Sequence, residues 1–244
     1  MKENKYDDEK FFSQYSRMSR SVEGLQGAGE WHVLCQMLPD FRNKRVLDLG
    51  CGFGWHCQYA IEHGATYALG IDISKKMLEE AAKRNTAPQI DYQCMAIEDY
   101  DFPHDNFDVV ISSLAFHYLE SFEDICKKVN RCLRPKGAFV FSVEHPVFTA
   151  YGSQDWYYDE KGNLLHWPVD NYFTESRRKA TFLGEEVTKF HKTLTTYING
   201  LLQSGFEIKE IIEPKPDPKF IGVIPGMENE LRRPMMLIIS AVKK

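Results

Sequence analysis

The stretch Leu47 to Trp55, LDLGCGFGW, constrains the fold of this chain more than any other. An apolar run stops at Leu49, and Gly50, Gly52 and Gly54 then alternate, with one acid, Asp48, in front of them. Glycine reaches positive φ without steric cost and lets a backbone or a ligand approach closely. A strand, a glycine-rich bend and a helix start are therefore predicted in direct succession. A tight turn that binds nothing fits the same letters, but three glycines in nine residues favour a bound group.

The rest of the chain repeats this unit. RVLDLG (45–50) is a strand, and the helix over 54–63 ends at Gly64. ALGID (68–72) is a strand, followed by a helix over 74–84 with Ser74 as its N-cap. A weak strand over 90–95, a buried strand over 107–113, a helix over 122–133 and a strand over 138–143 continue the series. Ahead of it, 28–38 has helical apolar spacing and stops at Pro39. Strands alternating with helices predict an α/β, doubly wound parallel sheet. The rhythm breaks at 144–190, an aromatic stretch in which DEKGN (159–163) reads as the turn of a β-hairpin. It resumes with a helix over 193–205 and strands over 206–212 and 235–242. One domain over 1–244 is expected, with 1–38 as N-terminal helices or a lid and 144–190 as an insertion covering the substrate.

The formal charge of −5 gives no electrostatic reason to expect a nucleic-acid or membrane partner. Six cysteines form no C-x-x-C pair, so reduced thiols and no metal site are predicted. The N-terminal MKENKYDDEKFF lacks an apolar export run, and no long apolar stretch follows, so the expected location is cytoplasmic.

A nicotinamide dinucleotide turn needs G-x-G-x-x-G, and counting from Gly50 its third glycine position is Trp55. That reading fails. Asp72 ends the next strand, where an acid either caps a helix or accepts hydrogen bonds from ribose hydroxyls. VLDLGCGFG, GIDIS, FDVVISSLAFHYL and LRPKGAFVFS, in this order and spacing, resemble the class I S-adenosylmethionine-dependent methyltransferases of the small-molecule type. The resemblance is strong over roughly 45–143 and weaker over 193–241. It implies a Rossmann-like seven-stranded sheet with the last strand antiparallel, and S-adenosyl-L-methionine lying across the strand ends. Asp48 and the backbone of Gly50, Cys51, Gly52 and Gly54 would face its methionine part. Asp72 would hold the ribose, and Ile73 and Met77 the adenine. Ala96 stands where the family often has an acid, so Ile97 N–H with Glu98 or Asp99 is the substitute. Leu114 and His117 would line the sulfonium end. Tyr15 and Arg20 would close the site, Arg20 beside the cofactor carboxylate; a plain surface arginine is the alternative.

The implied reaction is in-line displacement of a methyl group from a cationic sulfur, leaving S-adenosyl-L-homocysteine. The protein then has to position a nucleophile and take its proton. His117, His145 and His191, near the strand ends, are the candidate bases; each also suits a structural histidine. Tyr118, Phe148, Trp156, Trp167, Tyr172 and Tyr197 are the candidate substrate-facing aromatics, able to wall an apolar pocket, to cage a cation, or to form the insertion's own core. The expected partner is a small-molecule methyl acceptor, methylated on O or N. An RNA or protein acceptor, or a non-catalytic cofactor-binding module on the same fold, remains the alternative.

Overall fold

The computed structural model describes residues 3–244. A seven-stranded sheet forms the centre. Its strands are β1 (Arg45–Leu49), β2 (Tyr67–Asp72), β3 (Ile90–Cys94), β4 (Phe107–Ser113), β5 (Leu133–Glu144), β6 (Phe206–Ile212) and β7 (Met236–Lys243), in the spatial order β6-β7-β5-β4-β1-β2-β3. β1 pairs in parallel with β2 and β4, and β4 with β5. β7 runs antiparallel to both β5 and β6. The sheet is the doubly wound one that the alternation predicts, with its last strand reversed.

Among the described residues eight α-helices accompany it: α1 (Glu9–Tyr15), α2 (Ser19–Val22), α3 (Trp31–Met37), α4 (Trp55–Glu62), α5 (Lys75–Arg84), α6 (Phe122–Cys132), α7 (Pro146–Ala150) and α8 (Leu194–Gln203). Successive strand side chains point to opposite faces. Leu47, Leu49, Val110 and Phe141 therefore pack into one core together with α6 and α8, while Val46, Val109 and Ile111 pack into a second with α4. Both faces are buried, which is why the central strands read as continuous apolar runs. Among the described residues no helix is long and apolar enough to cross a membrane.

Two local differences from the sequence reading have physical causes. β5 starts at Leu133, directly after α6, because Arg134 precedes a proline and is pushed out of helical conformation; Lys136, at φ 64°, then sits in an irregularity before the regular pairing from Ala138. The insertion holds two hairpins instead of one. The short one pairs Tyr157–Tyr158 with Leu164–His166 around the predicted DEKGN turn. The longer one pairs Arg177–Phe182 with Glu185–Phe190 through Leu183 and Gly184, at φ 52° and 71°. Two consecutive positive φ values are the tight hairpin turn, and a leucine in one of them hides it from composition.

Candidate functional site

A cavity of about 660 Å³ opens above the C-terminal ends of β1, β2, β4 and β5. A smaller recess of about 50 Å³ continues from it beneath the glycine bend. The three glycines serve different ends. Gly50 (φ 76°) and Gly52 (φ 54°) line the cavity, and a Cβ on Gly50 would stand 2.5 Å from Ala115 Cβ. Gly54 (φ 73°) precedes α4, outside the cavity, where a Cβ would collide with Tyr92 Oη at 2.1 Å.

Asp72 closes β2 with both carboxylate oxygens pointing at backbone. Gly52 N–H donates to Oδ2 at 2.9 Å and Ser74 N–H to Oδ1 at 2.8 Å. Burial pushes its pKa up to about 6, against the pull of these bonds. Asp72, Ile73 and Met77 line one wall, and Ala96, Ile97 and Glu98 continue it. Asp48 is fully buried below the bend instead of facing the cavity. Cys57 Sγ lies 3.7 Å from its Oδ2 and His56 Nδ1 3.9 Å, and burial raises its pKa to about 7. Cys51 faces the small recess.

Arg20 reaches both cavity and recess. Its Nη2 donates to Glu30 Oε1 at 3.1 Å, and Ser113 Oγ donates to the same oxygen at 2.9 Å. Burial opposes both charges, but each holds the other ionised, and the Arg20 pKa rises while that of Glu30 falls. Glu30 Oε2 is buried with no hydrogen-bond partner among the described residues. The sequence reading missed Glu30, ten residues from Arg20 and on a different element.

The N-terminal arm closes this half. Asp7 accepts from Ser74 Oγ at 2.6 Å and from Lys76 N–H at 3.0 Å, and Asn4 Nδ2 donates to Ile73 O at 3.2 Å. On the far side Thr188 N–H donates to Glu3 Oε1 at 3.2 Å, and Lys10 pairs with Glu185 at 2.6 Å. The arm thus bridges β2 and the longer hairpin across the mouth. Tyr6 and Tyr15 of this arm line the cavity, with Tyr6 Oη 3.3 Å from Tyr118 Oη. Leu114, at φ 53°, also lines it, its N–H donating to Ser142 O.

A polar cluster ends the other half. His117 is 2% exposed, and its Nδ1 accepts the Glu144 backbone N–H at 3.4 Å. Burial depresses its pKa to about 4, so the imidazole is neutral. Glu144 carries two strong bonds: Lys189 Nζ donates to Oε1 at 2.5 Å and Gln154 Nε2 to Oε2 at 2.7 Å. Lys189 Nζ also donates to Gln154 Oε1 at 2.8 Å. Glu144, Gln154 and Lys189 all line the cavity, and the sequence reading counted none of them as site residues. Strand alternation was the available signal, since it sends Glu144 one way and His145 the other.

Of the three candidate bases His117 lines the cavity, and the other two lie elsewhere. His145 caps α7, its Nδ1 accepting Val147 N–H at 3.0 Å, and its Nε2 stands 2.8 Å from Glu213 Oε1. His191 is held at both ring nitrogens, 2.8 Å from Thr149 Oγ1 and 2.8 Å from Tyr172 O. Neither lines the cavity. Tyr197 is buried in the core between Phe122 and Phe141, and Tyr172 Oη accepts Leu194 N–H at the start of α8. Trp156 and Trp167 do form a cation cage, but it is filled from within. Arg233 Cζ sits 4.1 Å from the Trp167 ring centroid, 4.6 Å from Phe148 and 5.3 Å from Trp156. Of the candidate aromatics, Tyr118 and Phe148 reach the cavity wall.

A family model for a methyltransferase domain matches residues 47–141. A Listeria monocytogenes crystal structure assigned to the S-adenosylmethionine dependent methyltransferases is 60% identical, with a TM-score of 0.86 over 91% of this chain and 99% of that one. An S-adenosylmethionine dependent methyltransferase from Mesorhizobium loti is 42% identical, with a TM-score of 0.83 over 90% of this chain and 100% of its own. A ubiquinone biosynthesis O-methyltransferase from Neisseria meningitidis serogroup C is 30% identical over 59% of this chain, and the match spans 66% of that protein.

Proposed function

Because the chain belongs to the S-adenosylmethionine-dependent methyltransferases, we propose that it transfers the methyl group to an oxygen or nitrogen of a small molecule held in the polar half of the cavity. When bound, the cofactor supplies a methyl group on a positively charged sulfur. The residues present suit it. Gly50 and Gly52 leave room where a Cβ would intrude, Asp72 offers a carboxylate for the ribose hydroxyls, and Ile73, Met77 and Ile97 offer an apolar seat for adenine. Arg20, fixed by Glu30, would meet the carboxylate of the methionine part.

The observation that carries the small-molecule reading is the bridged mouth. The arm from Glu3 to Lys10 is tied to β2's end on one side and to the hairpin on the other. A volume of about 660 Å³ beneath this bridge suits cofactor plus a small acceptor. A folded protein or an RNA duplex needs an open face instead. An arm tied down across the mouth also limits the access of water to the reacting atoms.

The test is calorimetry with adenosylmethionine, followed by incubation of the protein with labelled methyl donor and a metabolite extract. Binding of the cofactor and recovery of label in the small-molecule fraction are expected. Label confined to RNA or protein would overturn the acceptor assignment.

A further inference from the structure

The cluster of His117, Glu144, Gln154 and Lys189 is more ordered than a passive wall needs to be. His117 Nδ1 accepts a backbone N–H, so the ring proton of this neutral imidazole sits on Nε2. Among the described residues that N–H has no hydrogen-bond partner; Glu144 Oε1 is 4.0 Å away, too far for a direct bond. Glu144 in turn is held rigidly as a carboxylate by Lys189, only 2% exposed, and by Gln154. A donor and an acceptor thus face each other across a gap of 4.0 Å on the cavity wall. One atom can bridge it with two bonds of about 2.8 Å if it accepts from one side and donates to the other.

We propose that this gap seats the reacting group of the methyl acceptor, that this group is a hydroxyl, and that Glu144 takes its proton. The proposal rests on the methyltransferase reading above and names the substrate class within it. A hydroxyl has two lone pairs: one accepts from His117 Nε2–H and the other is left for the methyl carbon. A neutral amine has a single lone pair, which the same N–H would occupy. A carboxylate would meet the carboxylate of Glu144. In the reaction the acceptor oxygen forms its bond to the methyl carbon, the carbon–sulfur bond breaks with its electron pair left on sulfur, and the hydroxyl proton passes to Glu144. An oxygen gaining a third bond becomes strongly acidic, so a carboxylate is base enough. Phe148, Phe182, Val187, Phe190, Met235 and Met236 outnumber the Arg177, Thr181 and Thr188 that also line the cavity, so the hydroxyl belongs to a largely apolar body, aromatic or aliphatic.

The experiment has two arms. In the first, wild-type protein and the Glu144→Gln and Glu144→Asp variants receive donor labelled with carbon-13 on the methyl group and a metabolite extract, and nuclear magnetic resonance of the product identifies the methylated atom. An O-methyl product is expected, with turnover about 10²–10⁴-fold lower in Glu144→Gln. Glu144→Asp should recover part of that loss, and cofactor affinity by calorimetry, unchanged in both, certifies the fold. In the second arm, 4-propylphenol and 4-propylaniline are titrated into the adenosylhomocysteine complex. Both probes can accept from His117, but a phenol O–H is a much stronger donor to a carboxylate than an aniline N–H, so the phenol should bind at least about tenfold tighter, and Glu144→Gln should shrink the difference. An N-, S- or C-methyl product, wild-type turnover in Glu144→Gln, or equal binding of the two probes (none of either included) overturns the hydroxyl assignment and leaves methyl transfer standing. No label in any small molecule despite bound cofactor overturns the proposed function, and this inference with it.

Discussion

Asp72→Asn separates the electrostatic work of the carboxylate that we assign to the ribose from its shape. Asp72 accepts one backbone N–H on each oxygen, at 2.9 and 2.8 Å. The asparagine side chain turns one of these acceptors into a donor facing an N–H, and removes the charge. A hydrogen bond to a charged group contributes about 1.5–3 kcal/mol, against about 0.5–1.5 for a neutral one. The difference, about 1–2 kcal/mol, should raise the Kd for adenosylmethionine about 5- to 30-fold. The pH dependence carries the sharper test. Burial holds the Asp72 pKa at about 6, above its ordinary 3.8. The folded protein without cofactor therefore binds this proton more tightly than the unfolded chain does. The stability this group contributes is full below 3.8, declines as pH rises, and is lost above about 6. Cofactor binding has the opposite sign, because ribose hydroxyls need the ionised form. Wild-type affinity should be roughly tenfold weaker at pH 5 than at pH 7, and in Asp72→Asn that share of the slope should vanish. Isothermal calorimetry across this range, with thermal unfolding as a control on the fold, reads both effects. Equal Kd values and equal pH slopes in the two proteins would refute the assignment of Asp72 to the ribose.

Gly50→Ala places a Cβ 2.5 Å from Ala115 Cβ at φ 76°; left-handed strain and overpacking together should cost about 2–5 kcal/mol by denaturant unfolding, and Ala115→Gly should relieve the contact but not the strain. Arg20→Ala leaves Glu30 buried without its cation and should lose about 3–5 kcal/mol of stability. The double variant Arg20→Met, Glu30→Leu should recover most of that stability yet still bind adenosylmethionine weakly, which calorimetry would show. His145→Ala and His191→Ala each strip a buried hydrogen bond and should lower the unfolding free energy by about 1–3 kcal/mol, while turnover per folded molecule stays at the wild-type level; a selective loss of turnover in either would restore that histidine as a base.

Legibility in the sequence followed distance along the chain. The glycine bend belongs to the unit β1–α4, and Asp72 with the apolar wall at Ile73 and Met77 to the next unit, β2–α5; two consecutive strand–turn–helix units fix their relative position by local spacing. Arg20 was legible as a cation near the bend, but its carboxylate, Glu30, depends on how the N-terminal helices fold back. Lys189 meets Glu144 across 45 residues and Arg233 enters the Trp156–Trp167 cage from more than 60 residues away. No periodicity encodes such contacts. Histidine chemistry misled for a related reason: an imidazole suits proton transfer and equally suits capping a helix, and only burial and partners decide between them. His145 was legible as a cap in hindsight, because Pro146 follows it at the first helical position.

The two halves of the site are made by different kinds of structure, and this limits what kinship can say. The cofactor half is built mainly on sheet ends within 47–141, the stretch that matches the methyltransferase family model. Glu144, Gln154 and Lys189 all lie beyond that stretch, on the end of β5, the segment after α7 and the longer hairpin. A match confined to the sheet therefore carries the methyl donor and leaves the acceptor unspecified. Glu144 sits at the boundary, the last residue of β5 and only three positions past the matched region. Its backbone N–H sets the His117 tautomer, while its side chain is set by the insertion through Lys189 and Gln154. On the reading proposed above, acceptor choice is written where a rigid strand end meets an inserted segment, with the strand holding the reacting geometry and the insertion deciding which charge stands there.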